Sequence, residues 1–150
     1  MRIAPAVLVL FCALAVPCFA GSIDDKIPDQ QAIDALEQRA SVAQPKEQCF
    51  LYAQLVHQMI ELSARQAASG DVEKATGLLK RAQEFTHRIH MALAGNDRRL
   101  KDAQILLRHT AFRLAELLHA GSLDDRPLVE QTLAQLNRAQ DEAMLQVFRK

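Results

Sequence analysis

Aromatic residues are scarce in this chain: no tryptophan, one tyrosine and six phenylalanines among 150 residues. The apolar content therefore comes from Leu, Ala, Val and Ile. Glycine and proline are sparse as well, five of each, and with abundant Ala, Leu, Gln, Glu and Arg this is a helix-forming composition. An excess of either charge is also missing, since 18 Lys and Arg balance 18 Asp and Glu. A nucleic-acid binder needs a basic excess or stripe to pair with phosphates, so nucleic acid is not expected as a partner.

Cysteine is nearly absent. Cys12 and Cys18 fall in an N-terminal segment with the pattern of a secretory signal: Arg2, an apolar run from Ile3 to Val16 broken by Pro5, then Pro17-Cys18-Phe19-Ala20 before Gly21. The run is shorter than the roughly 20 apolar residues of a spanning helix, and no basic stop-transfer cluster follows it. Pro17 directly before Cys18 fits badly with a lipid-modified cysteine. Residues 1–20 are thus read as a cleaved signal peptide, 21–28 as a polar linker and 29–150 as a single domain, periplasmic or secreted, with no stable membrane anchor after cleavage. Cleavage would leave Cys49 alone, and one cysteine cannot make an internal bridge. Cys49 is either a small buried apolar residue or a link between two chains, and its place beside the apolar stripe of its helix favours burial.

What is present is helical periodicity. Asp29 can cap a first, shorter helix with Ala32, Ile33, Leu36, Ala40 and Ala43 on one face. Gln44-Pro45 ends it, and Pro45 suits the first position of the next helix. Helix two is expected from about Pro45 to Ser69, with Tyr52, Leu55, Val56, Met59, Leu62, Ser63 and Gln66 inward. Gly70 and Asp71 then serve as C-terminal and N-terminal caps. Helix three carries Val72, Ala75, Leu78, Leu79, Ala82, Phe85, Thr86, Ile89 and Leu93 to a stop at Gly95, with Asn96 or Asp97 opening helix four. Its stripe is Leu100, Ala103, Leu107, Thr110, Ala111, Leu114 and Leu118, ending at Gly121. Ser122-x-x-Asp125 resembles a capping box for helix five, whose stripe is Val129, Thr132, Leu133, Leu136, Ala139, Gln140, Ala143 and Val147. Helices two to five, at roughly 22 to 25 residues, are rods of about 33–38 Å. Short loops fold such rods back on one another. The expected fold is all-α, an antiparallel up-down bundle of four long helices preceded by one shorter helix.

Enzyme signatures are missing: no Gly-x-Ser-x-Gly, no Gly-rich phosphate loop, no His-Glu-x-x-His and no Cys-x-x-Cys-His for haem. Two Glu-x-x-His motifs, Glu84 to His87 and Glu116 to His119, could contribute to a di-iron carboxylate site only if all four side chains turned inward. At 100° per residue they point away from the apolar stripes, and antiparallel packing would set the two glutamates about 15 Å apart along the axis. His57 and His109 fall on outer faces by the same counting. His87 and His90, three residues apart, are the surface candidates for a metal ion, though a structural zinc wants four ligands. No catalytic residue and no cofactor is expected.

Gly70-Asp71-Val72-Glu73-Lys74-Ala75, with Leu79 and Ala82 after it and Leu62 and Ser63 before it, resembles the turn and flanking helices of a tetratricopeptide-type hairpin over residues 56–89. Membership would imply peptide or protein binding in a concave groove. The sequence departs from that family at His87, where its closing Pro belongs, in its longer flanking helices, and in lacking a second copy. Thr132-Leu133-Ala134-Gln135 is similar to the Leu-Thr-x-x-Gln motif of small periplasmic helical proteins of the Spy/CpxP kind, with Gln131 in the leucine position. That likeness implies the alternative reading, a periplasmic stress- or metal-sensing protein. The principal expectation is an exported, non-enzymatic helical protein that works by helix-face contact with a protein partner or with itself. Apolar residues off the stripes, Phe50, Ile105, Leu145 and Phe148, beside the neutral Gln54 and Gln58, are either ordinary surface scatter or, if gathered onto one surface, a patch for that contact.

Overall fold

The computed structural model describes residues 28–93 and 98–149. The expected signal peptide (1–20), most of the linker, and the expected stop and start at Gly95, Asn96 and Asp97 lie outside these residues. Among the described residues all regular structure is α-helical, in five helices.

The first, α1 (Gln30–Val42), opens on Asp29, whose carboxylate accepts from the Ala32 amide at 2.7 Å. It buries Ile33, Leu36 and Ala40, the three-and-four spacing of one helical face. Ala43 and Gln44 are extended, and for Gln44 the following proline disfavours the α region. Pro45 then starts α2 (Pro45–Ala68) without wasting an amide. Past Ser69, Gly70 takes φ +86°, a left-handed conformation that costs a side-chain-bearing residue energy. Asp71 caps α3 (Val72–Ala92), accepting from the Lys74 amide at 3.4 Å. Arg99 precedes α4 (Leu100–Ala120), which ends at Gly121 with φ +64°.

The start of α5 (Arg126–Phe148) differs from the expected capping box. Asp125 is itself the cap, accepting from the Leu128 amide at 3.1 Å. Leu123 is buried, and residues 122–124 stay outside the helix.

Helix α2 packs on α1, α3 and α4, and α5 packs on α3 and α4. Side-chain pairs fix the relative levels. Ser63 Oγ donates to the Ala75 carbonyl at 2.9 Å, and the Tyr52 and Phe85 rings lie 5.8 Å apart, so late residues of α2 meet early residues of α3. Between α2 and α4 the pairs ascend together: Phe50 with Arg99, His57 with Thr110, Glu61 with Arg113. Gln83 with Thr132 and His90 with Glu142 ascend together between α3 and α5.

One continuous apolar cluster fills the interior, with Leu55, Met59, Leu79, Ile89, Leu107, Leu114 and Leu136 at its centre. The buried threonines 86, 110 and 132 each donate to the carbonyl four residues back, at 2.7–2.8 Å, so their hydroxyl protons are satisfied inside the core.

Several readings of the helix faces are corrected, and Ala32 and Val72, expected on the inward stripes, are exposed. Phe50 is 7% exposed rather than outward, and Gln54 and Gln58 are half-buried. Helix α2 has neighbours on three sides, and the face that a single-stripe reading leaves in water is covered by α1 and α4. On α4 the residue buried in the last turn is Leu117, with Leu118 partly exposed, where α4 packs against both α2 and α5.

Candidate functional site

The two Glu-x-x-His motifs stay on the surface. Glu84 pairs with Arg88 at 2.6 Å, and Glu116 lies 3.7 Å from Arg113 on its own helix. His119 Nδ1 is 2.6 Å from the Ala115 carbonyl, to which its N–H donates. All four side chains are exposed. Among the described residues no three His, Cys, Asp or Glu side chains gather as a metal ion would require.

His87 and His90 stand side by side on α3, their rings stacked with centroids 6.2 Å apart. They border a cleft of about 280 Å³ between α3 and α5, completed by Thr86, Gln135, Arg138, Ala139 and Glu142. His90 Nδ1 is 2.5 Å from a Glu142 carboxylate oxygen, a link sequence spacing could not reveal because 52 residues separate the two. The Gln135 side-chain oxygen is buried without a hydrogen-bond partner in this wall. The cleft is open and its carboxylate is already engaged by an imidazole.

His57 departs from the outer-face reading. It is half-buried between α2 and α4, its Nδ1 3.0 Å from Thr110 Oγ. The Thr110 hydroxyl donates to the Leu106 carbonyl at 2.8 Å, so its oxygen is left to accept, and Nδ1 carries the proton. Burial holds the pKa of His57 below the usual imidazole value; Glu61 opposes this, while His109 and Arg113 add to it. An ion pair, Arg113 to Glu61 at 3.1 Å, lies one turn further along the same seam.

Cys49 is fully buried in α2. Its sulfur cannot meet an incoming substrate or a second chain without the helices separating.

Large apolar side chains are exposed on α1 (Val42), on α3 (Val72 and Met91), and on α4 and α5. On α4, Ile105 is 44% and Phe112 66% exposed; on α5, Leu145 is 61% and Phe148 80% exposed. Ile105 and Phe112 are seven residues apart, hence on nearly the same line down the helix, and that line is opposite the buried face of Leu107, Ala111 and Leu114. None of the described helices is long and apolar enough to cross a membrane.

No protein-family model matches the chain. No curated protein and no solved structure shows significant similarity to it.

Proposed function

We propose that the chain is an exported, non-enzymatic helical protein of the cell envelope or exterior, which acts through contact of a helix face with another protein or with a second copy. Its four long helices are taken as an antiparallel up-down bundle, two hairpins laid side by side, with the α2–α3 hairpin akin to a tetratricopeptide unit. The bundle serves as a rigid frame and the outer side of α4 as the working surface.

The observation that carries this reading is the line of Ile105 and Phe112 on the outer side of α4. A phenylalanine left in water forgoes about 1.5–3 kcal/mol of burial. A second apolar residue one heptad away makes a contact strip rather than an isolated exposed side chain. The polar clusters offer no competing chemistry, because their carboxylates are engaged by neighbouring arginines or histidines.

A photo-reactive amino acid at position 112 tests it, with the same probe at Lys80 on the exposed side of α3 as the control. Irradiation in the native compartment is expected to give a discrete adduct from position 112 and none from position 80. Equal labelling at both positions, or none at either, would overturn the proposal.

A further inference from the structure

We infer that the outer face of α4 pairs with the same face of a second copy, antiparallel across a two-fold axis that passes between Arg108 and His109. This rests on the helix-face reading above and specifies its partner.

The argument begins with spacing. At 100° per residue, Lys101, Ile105, Phe112 and Glu116 fall within about 60° of one another on the side of α4 opposite the core. The order along the helix is a cation, four residues to Ile105, seven to Phe112, and four to an anion. This pattern is symmetric in spacing and antisymmetric in charge about the midpoint of residues 108 and 109. Two copies related by a two-fold axis at that midpoint superpose the pattern on itself with its direction reversed. Ile105 then meets Phe112 of the second copy, and Phe112 meets its Ile105. Lys101 faces Glu116 of the second copy at one end, and the reciprocal pair forms at the other.

The flanks agree with this arrangement. Lys101 and Glu116 lie only about 30° to either side of the apolar line, close enough to its centre for each long side chain to reach the opposite charge at the same level of the second copy. A parallel pairing would place Lys101 against Lys101 and Glu116 against Glu116, which is repulsive at both ends.

The charges are available. Lys101 is exposed and has no acidic partner among the described residues, and the contact of Glu116 with Arg113 is long, at 3.7 Å, while Arg113 holds Glu61 at 3.1 Å. The two-fold axis brings each edge of the helix against its own copy, so Arg108 would face Arg108 of the second copy near the axis, which opposes the pairing and further weakens it. One helix face of 21 residues covers less than the roughly 1,200 Å² of a stable complex, so the pair is weak and exchanges rapidly.

Sedimentation of the purified protein from about 1 μM to about 1 mM provides the test, and the expected result is a reversible monomer–dimer equilibrium in the upper part of that range. Lys101→Glu and Glu116→Lys each turn two attractions into two repulsions and are expected to weaken the dimer about tenfold. The double variant restores both pairs with reversed polarity, so its dissociation constant should return to within about threefold of the original. Phe112→Ala should leave a monomer throughout. All these positions are solvent-exposed, and an unchanged helical circular dichroism spectrum verifies the fold of each variant.

A wild-type protein that stays monomeric overturns the self-pairing. So does a double variant no tighter than the single ones, which would rule out this register. If the probe at position 112 captures a different protein while the chain sediments as a monomer, the second copy is the wrong occupant and the helix-face reading stands. Absence of both adduct and dimer removes the two together.

Discussion

His57 is closed between α2 and α4, and burial holds it in the neutral form. An imidazole whose pKa is lower folded than unfolded takes up its proton first in the unfolded chain. Stability therefore has its full value above the ordinary imidazole pKa of about 6.5 and falls as the pH drops through it. The loss ceases once the folded His57 also protonates. Thermal melts at intervals between pH 8 and pH 5 are expected to show a falling midpoint on the acidic side. His57→Gln, which keeps a side-chain donor toward Thr110 without a titrating group, should flatten that slope. An unchanged slope would mean that other groups dominate the titration. The helical wheel missed this residue because His57 lies off the main stripe of α2, and the wheel has no knowledge that α4 covers that side.

At the scale of the helices, the periodic pattern located every described element to within a few residues. Pro45, Gly70, Asp71 and Gly121 act as punctuation for local steric reasons that do not depend on the rest of the molecule. Where tertiary neighbours decide, the pattern was less informative. Phe50 was read as outward, yet the Arg99 guanidinium lies 3.5 Å from its ring centre. The pairing of His90 with Glu142 depends on α3 packing against α5, and the displacement of Leu118 by Leu117 on α4 packing against α2 and α5. Helix α1 is the least secured element. Among the described helices its backbone packs on α2, with ion pairs from Arg81 to Asp34 and Glu37 as its ties to α3. These are half-exposed pairs of modest worth. Amide hydrogen exchange should show α1 opening at least tenfold more readily than α2, and equal protection of the two would contradict this account of its anchoring.

For the whole molecule, the apolar cluster runs without a break from Ile33 on α1 to Ala143 on α5. With no gap between the hairpins, the long helices should unfold in a single step. Cys49 offers an internal reporter, being fully buried in α2. Its alkylation by iodoacetamide is expected to be negligible in the native protein and to follow the same urea transition as circular dichroism. Reaction well before that transition would reveal a separable hairpin. The apolar residues that α4 and α5 expose were visible from the sequence as Ile105, Leu145 and Phe148, because an apolar side chain on a polar arc stands out without knowledge of the fold. Phe112 belongs to the same group and was missed, although it stands seven residues after Ile105.

The crowding of α2 bears on how such a chain can change over generations. Ala53, Val56, Met59 and Ile60 are fully enclosed by three neighbouring helices, so a replacement there must suit several surfaces at once. The outer arc of α5 carries no such obligation. Relatives that have drifted far apart should still share the inward residues of α2, while α5 varies freely beside it.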